Sequence, residues 1–176
     1  EKSLEEMRTA QNLDPQARAT NIGLAQLLNV ARRPDESVPF SRRVLELNPK
    51  DETAKLRLAD SFEQLGNFAE AEKSVREILQ EQENNMDAVA ALSRILAKKN
   101  EKTKSLELLK KIAESKQAES FNYEMALVYI VFGENERAVG LLKKSAESGG
   151  FIKLFLKNDY NLDPLRQNAE FVKLHN

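Results

Sequence analysis

The chain has 176 residues, enough to bury one continuous core, and its 27 lysines and arginines against 28 acidic residues leave a net charge of −1. That balance argues against a dedicated nucleic-acid binder, which shows a clear basic excess, and no apolar run approaches the ~20 residues needed to cross a bilayer. There is no cysteine, aromatics are 6%, and six glycines and five prolines accompany 31% charged residues, so disulfide and thiolate chemistry are excluded and a helical protein is expected.

The first segment, 1–13, carries Ser3, Met7 and Ala10 at helical spacing. It ends in the phrase Leu13-Asp14-Pro15, which returns 34 residues later as Leu47-Asn48-Pro49. From Gln16 to Leu47 a helix pair is predicted, its first member marked by Leu24-Ala25 and Leu28. The second member holds Pro34 and Pro39. Proline is tolerated in a helix's first turn and costly beyond it, so this helix is expected to start late, with Ser37 as its N-cap and Val38-Pro39 in its first turn.

The stretch from Glu52 to Gln82 shows the unit most clearly. Ala54, Leu58, Ala59, Phe62 and Leu65 line one face of a helix, Gly66-Asn67 stops it, and Phe68, Ala71, Val75, Ile78 and Leu79 line the next. A third unit runs from Met86 to Glu114 with a turn near Asn100-Glu101. Lys98, Lys99, Lys102 and Lys104 cluster at that turn, which reads as a solvated one, because no aromatics interleave as single-strand binding requires. In the fourth unit the segment 121–132 is apolar nearly all round, so it must be covered on more than one side. Gly133 ends it, 134–147 forms its partner helix, and Gly149-Gly150 stops that.

Landmarks recur down the chain. The small residue early in each second helix falls at Ser3, Ser37, Ala71 and Ser105, each 34 after the last, and then at Ala138, 33 further on. The first helices align Leu24-Ala25, Leu58-Ala59, Leu92-Ser93 and Met125-Ala126. A small side chain lets paired helices approach closely, and larger ones fill the space between neighbouring pairs. This helix–turn–helix of 34-residue period, with its L-A-x-x-F…A-x-x-x-V-x-x-I pattern, resembles the tetratricopeptide repeat.

The resemblance implies an all-α fold, a right-handed α-α superhelix. The expected organisation is an array over 1–150: a half repeat at 1–15, then repeats at about 16–49, 50–83, 84–117 and 118–150. Residues 151–176 leave the pattern but stay apolar, through Phe151, Leu154, Phe155, Tyr160, Leu162, Leu165, Phe171, Val172 and Leu174. Their G-G…L-D-P-L-R…F-V-K-L phrase resembles the segment that closes many bacterial arrays of this family, a C-terminal helical cap of two or three short helices. There Asp163-Pro164 is expected as a turn and Asn168 as the last helix's N-cap. The half repeat at the start reads as a piece of a longer protein cut inside a repeat, the alternative being a protein that starts with a capping helix.

The catalytic inventory is thin. The one histidine, His175, is penultimate, so no His/Cys zinc site and no Ser–His–Asp set is expected. Ser148-Gly149-Gly150 lacks the lysine of a phosphate loop. No enzyme activity, metal or cofactor is expected. In the family the first helices line the concave side and commonly bind peptides. Carried onto this chain, that face comprises Gln26, Arg57, Asp60, Glu63, Arg94, Tyr123, Leu127 and Ile130. The slots of a chaperone-type carboxylate clamp hold Ile22, Gln26, Arg57, Asp87 and Ala91, so C-terminal acidic tails are disfavoured. Two arrangements remain open at this stage. In one, a peptide sets apolar anchors on Tyr123 and Leu127 and a charge on Arg94 or Arg57. In the other, Arg57, Asp60 and Arg94 pair with one another and the chain's own cap covers Tyr123 and Leu127.

The expected function is a non-catalytic scaffold for a peptide or protein partner. The alternative is a docking region of a larger bacterial enzyme or envelope-assembly protein. Self-association through the truncated N-terminal repeat is a third possibility. No signal-peptide pattern opens the chain, and the expected compartment is the cytoplasm rather than the periplasm.

Overall fold

The computed structural model describes residues 2–147 and 152–174, with the side chains of Lys153 and Leu154 left aside. The expected stop at Gly149-Gly150, Phe151 and His175 lie outside the described residues. No described residue is in a strand, and no helix among them is long and apolar enough to cross a membrane. The chain divides into two compact units, 1–88 and 89–176.

The first unit contains α1 (Lys2–Leu13), α2 (Arg18–Val30), α3 (Pro34–Leu47), α4 (Glu52–Gln64), α5 (Phe68–Glu81) and the first residues of α6 (Met86–Lys98). From α1 to α5 consecutive helices pack on one another, and α2 also packs on α4. Leu24, Ala25, Leu28, Ala54, Ala71 and Val75 are fully buried, with Val44 and Ile78 close to it. At the N-terminal end Leu4 joins Leu24 and Leu28, and Met7, Leu27 and Phe40 pack around them.

The second unit holds the rest of α6, then α7 (Lys102–Ala113), a 3₁₀ turn (Ala118–Phe121), α8 (Asn122–Val131) and α9 (Asn135–Glu147). After these come α10 (Ile152–Asn158), a second 3₁₀ helix (Tyr160–Leu165) and α11 (Ala169–Lys173). The second 3₁₀ helix lies on α8, and α10 and α11 lie on α9. Leu156, Leu162, Leu165 and Phe171 are fully buried there. This is why α8 is apolar on nearly every side: its neighbours leave almost none of it to water.

The same turn closes the first helix of each pair. Arg32, Gly66, Asn100 and Gly133 all have left-handed φ, from 60° to 75°. The amide after each of them, from Arg33, Asn67, Glu101 and Glu134, bonds back to the carbonyl of Leu28, Phe62, Leu96 and Tyr129 at 2.8–2.9 Å. These are the bonds of a Schellman stop, which satisfies carbonyls that the helix end leaves open.

Two local expectations are corrected. α3 starts at Pro34, not after Ser37, and Pro39 stands inside it. Pro34 takes the first helical position, and Arg33 clamps Glu36 in the first turn with bonds of 2.6 and 2.9 Å. Ser37 is thereby freed from capping. It is fully buried and donates to the Ala25 carbonyl of α2 at 2.9 Å. Asp163-Pro164 is likewise not a separate turn but part of the second 3₁₀ helix. Proline's fixed φ suits that helix, and Asp159 caps its start by accepting from the Asn161 amide at 2.8 Å. Asn168 does cap α11, accepting from the Glu170 and Phe171 amides.

Candidate functional site

The residues expected to meet a partner fall on α2, α4, α6 and α8. In the first unit Gln26 is half-buried on α2. On α4, Arg57 Nη1 donates to Asp60 Oδ2 at 2.8 Å, one helical turn apart, with the two side chains 27% and 28% exposed. Arg57 Nε is buried and has no partner in the structure. Glu63, the next acid on that helix, is only 2% exposed, so it is part of the packing rather than of an open face.

Beneath this pair runs a polar network that sequence reasoning missed. Asn29 of α2 donates from Nδ2 to the Arg57 carbonyl at 3.2 Å. Ser61 Oγ lies 2.9 Å from both Asn29 Oδ1 and Ser37 Oγ, and 3.0 Å from the Arg57 carbonyl. Its single proton serves one of these acceptors at a time. Gln64 Nε2 adds a bond to the Asn29 carbonyl at 3.0 Å. Ser37 and Ser61 are fully buried and Asn29 is 7% exposed. The signal available in the sequence was a serine at 37 in the small-residue row, where an alanine suffices for packing.

In the second unit Arg94 is half-buried on α6. Tyr123 of α8 is already engaged by the C-terminal segment: its hydroxyl donates to Asp159 Oδ2 at 2.6 Å, and its ring lies 6.0 Å from that of Phe155. Burial pushes the Tyr123 hydroxyl far up from its ordinary pKa. The charge of Asp159 and its hydrogen bond add to the rise, and the positive charge of Arg94 opposes it. Leu127 and Ile130 are 2% and 7% exposed. They lie in the core of the second unit rather than on a free surface.

The segment that engages Tyr123 is itself firmly pinned. Arg166 donates to the carbonyls of Leu156 and Asp159 at 2.6 and 3.0 Å, and its guanidinium lies over the Phe171 ring. Lys98 Nζ reaches Tyr160 Oη at 3.1 Å and Asn161 Oδ1 at 2.6 Å. Among the described residues no group of three or more His, Cys, Asp or Glu side chains is placed to hold a metal ion.

Residues 31–95 match the family profile described as Tetratricopeptide repeat. The match covers 65 of the 176 residues, from the end of α2 into α6. The chain's all-α fold is that of solved tetratricopeptide repeat solenoids. It matches a tetratricopeptide repeat protein from Parabacteroides merdae with a TM-score of 0.72 and 16% identity, over 99% of this chain and 62% of that one. The chain therefore spans less than two thirds of that protein's length. It also matches YrrB, described as a TPR protein with an unusual peptide-binding site, at TM-score 0.56 and 16% identity, over 97% of this chain and 89% of that one. A further match is MamA, at TM-score 0.56 and 17% identity, over 82% and 79% of the two chains. No curated protein matches the chain.

Proposed function

We propose that this chain is a non-catalytic scaffold of the tetratricopeptide repeat kind that holds a peptide or protein partner against the first-helix side of its helix pairs. The observation that carries the reading is the Arg57–Asp60 pair. It is a partly exposed ion pair on a first helix, over a buried network that fixes the helix beneath it. A carboxylate from a partner takes the place of Asp60 on the guanidinium, and a bidentate geometry suits arginine for that exchange. The tetratricopeptide repeat match over 31–95 and the likeness to YrrB, whose description names a peptide-binding site, support this reading.

Gln26, Arg57 and Asp60 form the contact set of the first unit, and Arg94 is a separate contact on the second. Tyr123, Leu127 and Ile130 are left out of the contacts, since the second unit's own packing uses them. Residues 152–174 act as the cap of the last helix pair, with Arg166 as their pin.

A peptide library displayed on phage and panned against the purified chain tests this. Enriched peptides are expected to carry an acidic residue, and Arg57→Glu is expected to weaken the best of them at least about tenfold, the usual scale of a partly desolvated charge pair. Equal retention by the parent and by Arg57→Glu would remove this face from consideration.

A further inference from the structure

The start of α4 is held from two directions. Asp51, 4% exposed, caps the helix by accepting from the Ala54 amide at 2.9 Å. The same carboxylate takes Arg18 Nε at 2.5 Å and Nη2 at 3.0 Å. Arg18 is the first residue of α2. So the opening residue of one first helix reaches across to the cap of the next.

Thirty-four residues on, the same places are filled by other chemistry. Asn85 stands where Asp51 stood, and its Oδ1 accepts from the Ala88 amide at 3.0 Å. Glu52, the first residue of α4, stands where Arg18 stood, and its Oε2 accepts from Asn85 Nδ2 at 2.8 Å. Gln82 bonds the other oxygen of Glu52. In the first case the opening residue donates and the cap accepts. In the second the direction is reversed. All these atoms belong to the first unit. One period earlier the cap position is Ala17, which has no side chain to offer, and no such bond forms there.

We infer that the opening residue of a first helix and the cap of the following one form a rung that sets the spacing between successive helix starts, and that the rung requires complementary ends rather than a particular charge. The cap's own bond to the helix amide is separate from the rung, since both Asp and Asn supply it. Arginine and glutamate therefore do the same work at the opening position, provided that the cap answers them.

The test transplants the second rung's chemistry into the first. Arg18→Glu, Asp51→Asn, the double variant and the reference Arg18→Ala/Asp51→Asn are unfolded in urea, with hydrogen exchange read at the Ala54 amide. Arg18→Glu alone faces Asp51 with like charge, and its folding constant is expected to fall about tenfold, within the range of coupled neighbours. Asp51→Asn alone keeps the helix cap and loses about threefold. Arg18→Glu/Asp51→Asn is expected to recover to within about threefold of the parent, above the Ala-containing reference, with Ala54 protection restored. A double variant no more stable than that reference, or losses that simply multiply, would overturn the rung. So would four variants indistinguishable from the parent.

Discussion

Ser93 and Ser105 exchange hydrogen bonds across the α6–α7 pair. Ser93 Oγ donates to the Ser105 carbonyl at 2.9 Å, and Ser105 Oγ donates to the Ser93 carbonyl at 2.7 Å. Both residues are fully buried. They occupy the close-approach positions held by Ala59 with Ala71 and by Ala126 with Ala138. Either single change to Ala is expected to cost about 1 kcal/mol. The double change to Ala is expected to cost less than the two together, because both polar groups leave at once and the carbonyls keep their helical bonds. Ser105→Leu forces the helices apart and is expected to lose about 2–3 kcal/mol. Urea midpoints of the four proteins check the order.

The left-handed turn residues make a matched pair of predictions. A Cβ on Gly66 would meet nothing within 4 Å, so Gly66→Ala is penalised by backbone conformation alone. The expected loss is about 1–2 kcal/mol. Arg32 holds the same conformation at φ 60°, and Arg32→Gly is expected to gain or hold stability within about 1 kcal/mol, the relief of the turn offset by a looser unfolded chain. Thermal melts that show Gly66→Ala unaffected would contradict the assignment of these turns.

Gly23 makes room for Met7. A Cβ built there falls 2.4 Å from Met7 Cε and 2.8 Å from its Sδ. Alanine improves an exposed helix interior by about 1 kcal/mol over glycine, so two effects oppose each other. Gly23→Ala is expected to be close to neutral in the parent, because the displaced thioether loses its contact with α2. In a Met7→Ala background the same substitution is expected to stabilise by up to about 1 kcal/mol. A background-independent effect would mean that Met7 does not pack on Gly23.

Asp51 sets part of the acid limb. Burial pushes its carboxyl up, but the hydrogen bond from Arg18 and the backbone bond from Ala54 outweigh this, and its pKa is lowered. A lowered folded value means that the stabilisation is present above the unfolded carboxylate value, near about 4. It is lost as pH falls through the folded value. Stability in urea is expected to drop below about pH 4 in the parent and to drop less steeply in Asp51→Asn. Parallel slopes in the two proteins would exclude Asp51 as a contributor.

Tyr123 governs the alkaline limb in the opposite sense. Its raised pKa favours the neutral hydroxyl, so its contribution is intact below the unfolded tyrosine value of about 10 and lost as pH rises above it. Tyrosinate absorbance from Tyr123 is expected only as the second unit unfolds. Tyr123→Phe removes that component and costs about 1–3 kcal/mol, since Asp159 loses a buried donor. Early titration of all three tyrosines would contradict the bond to Asp159.

The fold was readable because close approach of paired helices admits few residue types. Ala25, Ala59 and Ser93 opposite Ser37, Ala71 and Ser105 announce themselves by size and spacing alone. The start of α3 was not readable, because a local rule about Pro39 competed with a tertiary bond from Ser37 to Ala25. At the candidate site, Arg57 and Asp60 are one turn apart and their pairing follows from helical geometry. The engagement of Tyr123 by Asp159, 36 residues away, depends on where the C-terminal segment folds back. Nothing in the spacing of α4 distinguishes the buried Glu63 from the half-buried acids Glu52 and Asp60.

The buried network of Asn29, Ser37 and Ser61 limits how far the first full repeat behaves as an interchangeable brick. Residues 18–47 depend on a hydroxyl that the following repeat supplies. Copied to another place in the array, where Ile95 or Val128 holds the position of Ser61, Asn29 would keep its desolvation cost and lose the neighbour that answers it. Any attempt to lengthen this protein by duplicating that segment has to carry Ser61 along with it.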